Sequence, residues 1–289
     1  MKTSYLIASL LFLIVLIPPA NASGSGAPLL PTPFGYMPGS CVHAVPSQTI
    51  LLSNGVSTTA VFPNGTSILL PPCPGYSPQP NSWIEDGNYQ LTNAELAHFS
   101  GKWTVPSSPS SNDGQTIFYF IGSTDTQGYL ILQPVLQWGS AADGGGAYWV
   151  IASWAVSSGG TVAYSTPQTV SAGDTINGTI DYVGSGTCGQ NSRECYSIFA
   201  KDTTSGSSSS LTNQDVNGQW VLYGTLESYN IKSCSDYSSG GSLSLGSLSV
   251  SDRTGKVTPS WSTYVNSNAS PQCSFSVKTT STTITLYYS

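Results

Sequence analysis

A chain of 289 residues in which 8% of side chains are charged, eight Lys plus Arg against 14 Asp plus Glu, carries a formal net charge of −6 and offers no basic patch to a nucleic-acid backbone. Two dispersed His and six Cys without a CxxC spacing or a Cys/His cluster point to no metal ion, and no glycine-rich phosphate loop points to a nucleotide, so no cofactor is expected. The remaining surface is Ser, Thr, Asn, Gln and Gly, which stays hydrated without ionising and gains little self-repulsion on acidification; that composition fits a protein working in acid and equally an ordinary secreted β-protein.

Lys2, an apolar run from Tyr5 to Ile17, Pro18-Pro19 and the small-x-small sequence Ala20-Asn21-Ala22 read as a secretory signal peptide over residues 1–22, cut after Ala22. The run is short of the ~20 apolar residues that cross a bilayer, and no later segment supplies them. The expected product is a secreted, extracellular monomer without membrane attachment once the signal is removed; an uncleaved N-terminal anchor is the alternative. Residues 23–82 are rich in Pro, Gly and Ser and hold two strand-like runs, Thr49–Leu52 and Ser67–Leu70, between Cys41 and Cys73. They suggest a small disulfide-closed hairpin module: a propeptide, an accessory domain or a strand addition to the main body.

Residues 83–289 alternate short Thr/Val/Ile/Tyr/Trp-rich runs with Gly/Ser/Asn/Asp turns, the pattern of one all-β domain. The runs are Lys102–Val105, Thr116–Ile121, Leu130–Trp138, Ala147–Val156, Thr161–Ser165, Thr175–Val183, Tyr196–Asp202, Gln219–Tyr229, Leu243–Ser249 and Ser274–Leu286. Thr92–Ala97 alone hints at a short helix. Ten or more strands in about 200 residues suit a single sandwich or jelly roll. An even number of Cys in an exported chain indicates disulfides, and neighbour order suggests Cys41–Cys73, Cys188–Cys195 and Cys234–Cys273.

Alternate side chains of a strand share a face. In the first aromatic run Tyr129, Ile131, Gln133, Val135 and Gln137 share one face, and Leu130, Leu132, Leu136 and Trp138 the greasier, core-like one. In the second, Val221, Tyr223, Thr225, Glu227 and Tyr229 oppose Trp220, Leu222, Gly224 and Leu226. If the two polar faces meet, Gln133, Gln137 and Glu227 lie at the floor of an aromatic cleft. Pro134 interrupts backbone pairing and favours an edge or a bulge there.

The runs Lys102-Trp103-Thr104-Val105-Pro106, Thr116–Ile121, Ile131-Leu132-Gln133, Tyr148–Trp154, Ala172-Gly173-Asp174-Thr175-Ile176 and Leu226-Glu227 resemble the glutamic peptidases of the eqolisin type and, more distantly, neprosin. The similarity spans roughly residues 103–250. It implies a concanavalin- or jelly-roll-like sandwich of two large antiparallel sheets, with a catalytic dyad of Gln133 and Glu227. The chain departs from the family pattern at Ser228 and Ile231, where the family has a Trp and a second acid, and at Ser153-Trp154, where it has Glu-Trp.

The chemistry of such a dyad is coherent. A Glu near its ordinary pKa of ~4.3 is a competent base for water in a mildly acidic medium and returns the proton to the leaving amine. A primary amide orients the water and donates to the oxyanion, an interaction worth ~10²-fold or more in rate. The expectation is a secreted, acid-active endopeptidase acting on polypeptides, with Glu227 and Gln133 catalytic and with Gln137, Trp138, Trp154, Tyr129, Tyr223 and Tyr229 binding substrate. Gln137 is the rival for the role of Gln133. Two dispersed His argue against a Ser-His-Asp set. The alternative function is a non-catalytic β-sandwich that binds carbohydrate, or a cell-surface structural protein.

Overall fold

The computed structural model describes residues 28–54, 57–73, 82–92, 94–126, 130–157, 160–185, 194–215 and 220–289. The signal segment expected over 1–22, Tyr129 and Cys188 lie outside them. In chain order the strands are β1 (Leu29–Thr32), β2 (Gly35–Pro38), β3 (Val42–Val45), β4 (Thr49–Ser53), β5 (Thr58–Val61), β6 (Ser67–Leu70), β7 (Trp83–Gln90), β8 (Leu96–Thr104), β9 (Thr116–Asp125), β10 (Ile131–Ala141) and β11 (Gly144–Val156). They continue with β12 (Val162–Ser165), β13 (Gln168–Val170), β14 (Thr175–Tyr182), β15 (Glu194–Asp202), β16 (Ser208–Asp215), β17 (Trp220–Tyr229), β18 (Ser242–Asp252), β19 (Gly255–Val257), β20 (Ser262–Val265), β21 (Ser276–Thr280) and β22 (Thr283–Tyr287).

Two large sheets form a sandwich. A nine-stranded sheet runs β20-β7-β17-β9-β10-β11-β12-β3, with β13 also on β11; an eleven-stranded sheet runs β21-β22-β18-β8-β14-β15-β16-β4-β5-β6, with β19 on β18. All pairings are antiparallel except β3 on β12 and β4 on β16. Both exceptions come from the N-terminal region, which thus adds an edge strand to one sheet and extends the other. The Cys41–Cys73 and Cys234–Cys273 bridges are formed, as neighbour order suggested, and Cys195 is disulfide-bonded as well.

The inter-sheet core takes Ile117, Tyr119 and Ile121 from β9, Leu132, Leu136 and Trp138 from β10, and Trp220, Leu222 and Leu226 from β17. Facing them are Trp103, Ile176, Ile180 and Ile198. At Gly178 the sheets approach so closely that a Cβ would lie 2.6 Å from the Trp103 ring and 2.9 Å from Pro134. The opposite face of the nine-stranded sheet is also dry. Phe118, Phe120, Ile131, Val135, Trp154 and Tyr229 form a second cluster with Phe34 and Met37 of the N-terminal hairpin β1–β2. Burial on both faces explains why β9 and β10 read as nearly continuous apolar runs.

Two local expectations are corrected. Leu96 and Phe99 are buried in the inter-sheet core, so the segment expected to be helical at Thr92–Ala97 instead leads into β8. Pro134 is not at an edge: β10 lies between β9 and β11, and the ladder to β9 simply lapses at Gln133 and Pro134 without a change of register.

Candidate active site

Strand alternation sets the site. Gln133, Val135 and Gln137 point to the outer face of the nine-stranded sheet, as do Tyr223, Thr225, Glu227 and Tyr229. Strand β9 separates β10 from β17. Along the rungs, Glu227 pairs with Phe118 and Phe118 with Gln137, whereas Tyr223 pairs with Gly122. Gln133 lies over Gly122, where a Cβ would come within 3.2 Å of its Cγ, so the missing side chain makes room for the amide. On the other flank of β17 the register with β7 slips by one at Leu226/Glu227. This bulge brings Trp83 opposite Glu227 and turns Ile84 toward the inter-sheet core.

The space between the two catalytic candidates holds the backbone of the N-terminal hairpin. Hairpin β1–β2 turns at Pro33-Phe34, with Thr32 paired to Gly35 and the Thr32 hydroxyl donating to Gly35 O at 2.6 Å. Gly35 sits at φ 122°, a conformation that glycine adopts without strain. Gln133 Nε2 donates to Pro33 O at 2.8 Å, and Gly35 N donates to Glu227 Oε1 at 3.1 Å. The Tyr229 hydroxyl is shared between Glu227 Oε1 at 2.5 Å and Thr32 O at 2.7 Å. Phe34 packs edge-on against Trp154 at 6.2 Å and Tyr36 against Tyr229 at 4.6 Å. Burial of Phe34 and Met37 contributes on the order of 3–6 kcal/mol to seating the hairpin.

Glu227 is fully buried here. Desolvation raises its pKa well above the usual carboxylate range, against the opposing pull of Tyr229, Trp83 and the Gly35 amide, so the hairpin disfavours the charged form of the carboxyl. Its Oε2, the Gln133 Oε1 and the Trp83 Nε1 are buried without a hydrogen bond of normal geometry. Burial, then the neighbouring Glu227, raises Tyr229 as well.

The other expected residues divide. Trp154 is fully buried under Phe34, and Tyr223 packs edge-on against Trp83 at 4.8 Å beside an open pocket. Gln137 shares the face but turns to the end of β10, donating to Gly139 O at 3.0 Å and Gly144 O at 3.2 Å. Its amide also steadies Asp143, whose pKa burial lifts to about 7. Trp138 is corrected: it lies on the inter-sheet side, 4% exposed and 5.3 Å from Trp149, because its position in the alternation is that of Leu132 and Leu136.

A Ser-His-Asp chain does exist around His98 alone, although the two dispersed His argue against one in the sequence. His98 Nδ1 lies 2.5 Å from Asp181 and Nε2 2.8 Å from Ser100 Oγ. It stands on the face of the eleven-stranded sheet turned away from the core, where β8 is paired on both sides and its amides serve the ladders instead of an oxyanion. The residues missed near Glu227 are Trp83, displaced into the site by the bulge, and the tip residues Thr32–Gly35. A Pro at the second and a Gly at the fourth position of Thr32-Pro33-Phe34-Gly35 is a turn signal that marks the hairpin.

No family model matches the chain, and neither does any curated protein sequence. Among solved structures it is similar to scytalido-glutamic peptidase with a peptide-based transition-state analogue, at TM-score 0.48 and 14% identity over 71% of this chain and 98% of that one. It is similar to SCP-B, a member of the eqolisin family of peptidases in complex with the tripeptide Ala-Ile-His, at TM-score 0.48 and 16% identity over the same shares. A third is aspergilloglutamic peptidase from Aspergillus niger, at TM-score 0.42 and 16% identity over 60% and 99%. These structures belong to the family whose motifs the sequence resembles.

Proposed function

We propose that the chain is a secreted glutamic endopeptidase in a latent form, with Glu227 as base and acid, Gln133 as oxyanion donor, and the tip of hairpin β1–β2 as the plug. One observation carries the reading. Two side chains from strands β10 and β17 grip polar groups of a single backbone turn, an amide donor on the carbonyl of Pro33 and a carboxyl on the N–H of Gly35. Those are the groups a peptide hydrolase must address: a donor for the carbonyl oxygen and a carboxyl within reach of water and of the departing nitrogen. In the open site Glu227 takes a proton from water, the oxygen adds to the carbonyl carbon, Gln133 Nε2 holds the resulting oxyanion, and Glu227 returns the proton to the leaving amine. The Tyr229 hydroxyl steadies the carboxyl throughout.

The plug disarms the base as well as covering it. Burial disfavours the charged form of Glu227, and access of water to the site returns the carboxyl toward its ordinary range, where it works as a base in mild acid. Because the plugged state raises the pKa, protonation and plugging favour one another, and the stabilisation of the plug is lost as pH rises through the raised value. Acid alone therefore does not open the site; cutting the chain between residues 28 and 41 does. The test is digestion of denatured casein at pH ~4 before and after limited proteolysis of that segment, with wild type, Glu227→Gln, Gln133→Ala and Gln137→Ala. Activity appears only after cutting, vanishes in Glu227→Gln, falls ~10²-fold or more in Gln133→Ala and persists in Gln137→Ala. Casein cleavage that survives in Glu227→Gln overturns the assignment.

A further inference from the structure

On the same outer face, beyond the plug, β7, β17 and β20 border an open pocket of about 560 Å³ lined by residues that include Trp83, Asp86, Asn88, Tyr223 and Tyr264, none of them from the hairpin. Register builds it. Tyr264 and Thr225 flank Asp86 on one rung, and Tyr223 flanks Asn88 on the next. Asp86 is the charged group of the lining. Its side chain is 3% exposed and held by Asn88 Nδ2, which donates to Oδ1 at 2.8 Å. Trp83 and Tyr223 pack edge-on against each other, and Tyr264 stands 47% exposed across from them.

A carboxylate at the floor of a box with three aromatic walls suits a cation carried on an apolar stem, which pairs with the acid while its methylenes and charge lie against the rings. We propose that this pocket receives a Lys or Arg side chain of the polypeptide substrate, with Asp86 holding the cation. That it serves a substrate rests on the peptidase reading. Trp83 borders both the pocket and Glu227, so the basic residue sits within a residue or two of the bond that is cut.

The pocket stands open with the plug in place, so the full chain is the material for the test. Nα-acetyl-arginine amide and its neutral isostere Nα-acetyl-citrulline amide are titrated at pH 7 by calorimetry into wild type, Asp86→Asn and Tyr264→Ala. Wild type binds the arginine compound at least about tenfold tighter than the citrulline one, a difference of ~1.4 kcal/mol. Asp86→Asn erases the difference, and Tyr264→Ala, a change at an exposed wall, weakens the arginine compound alone. Equal binding of the two amides, absence of binding, or a preference for a cello-oligosaccharide that Asp86→Asn leaves intact overturns the proposal. Cleavage-site mapping on a peptide library with the cut wild type and cut Glu227→Gln, run at pH ~6, where Asp86, lifted by burial to about 6, carries charge on a substantial fraction of molecules, separates the two readings. Library cleavage lost in Glu227→Gln but without enrichment of Lys or Arg near the cut sinks the subsite and leaves the peptidase. Arginine binding with no Glu227-dependent cleavage sinks the peptidase and leaves a cation pocket.

Discussion

Replacing Glu85 by Gln makes this protein more stable at neutral pH and no more stable in acid. Strand alternation turns Glu85 of β7 toward the inter-sheet side opposite Leu226, where it has no exposed surface and neither carboxyl oxygen has a hydrogen bond of normal geometry. Burial raises its pKa from 4.5 to about 9; the backbone amides of Tyr287 and Ser276 soften the effect without satisfying either oxygen, and neighbouring Asp86 adds slightly to it. A raised carboxyl contributes its full stability below pH 4.5 and loses it as pH climbs toward 9. At roughly 1.4 kcal/mol per pH unit above 4.5, ionisation of this group in the unfolded chain costs about 3.5 kcal/mol of stability by pH 7. Glutamine keeps the shape and cannot ionise. Urea unfolding of both proteins from pH 4 to 8 isolates the effect, because Glu227, Asp86 and Asp143 remain in both and cancel in the difference. The difference curve is flat below pH ~4.5 and then rises in favour of the variant by ~1.4 kcal/mol per pH unit. A difference that stays constant across the range refutes the reasoning, whatever its sign.

Four further outcomes follow from the same contacts. Phe34→Ala removes the ring that packs against Trp154, so the hairpin holds less tightly by about 3–5 kcal/mol; residues 28–41 are cut faster in limited proteolysis, with the global unfolding midpoint little changed. Trp138→Ala costs a similar ~3–5 kcal/mol of global stability in urea unfolding but leaves Glu227-dependent casein cleavage by the folded, cut protein intact, since that ring lies in the inter-sheet core. Gly178→Ala destabilises strongly and lowers the thermal midpoint, because its Cβ overlaps the Trp103 ring. Tyr229→Phe removes the hydroxyl that donates to Glu227 Oε1, so the acid limb of the pH–rate profile of the cut protein moves to higher pH.

Side-chain alternation made both faces of β10 and β17 readable before any coordinates, because a strand with two buried faces still separates its amides and carboxyl from its leucines. Leu132, Leu136, Leu222 and Leu226 entered the inter-sheet core, and Gln133 and Glu227 the other face. The same rule placed Trp138 with the leucines, and its aromatic character alone suggested the cleft. What alternation cannot supply is the partner across a long loop. Leu29-Leu30-Pro31-Thr32-Pro33 has too much proline to look like a strand, yet it pairs with Gly35–Pro38 and reaches both candidate catalytic side chains. The acid that meets His98 is Asp181, whose nearness depends on β14 lying beside β8. The bulge at Trp83 has no mark in composition, since it arises from one extra residue in a ladder whose other strand comes much later in the chain.

The two parallel pairings carry a consequence for biogenesis. Val42 waits for Val162, and Thr49 for Leu211, so strands β3 and β4 have no parallel partner on these sheets until residues more than a hundred positions later have been made and have begun to pair. Their sticky edges stay exposed throughout that interval and are a natural target for holdase chaperones. Hairpin β1–β2, whose turn is held by Gln133 of β10 and Glu227 of β17, likewise has no seat until both of those strands are in place.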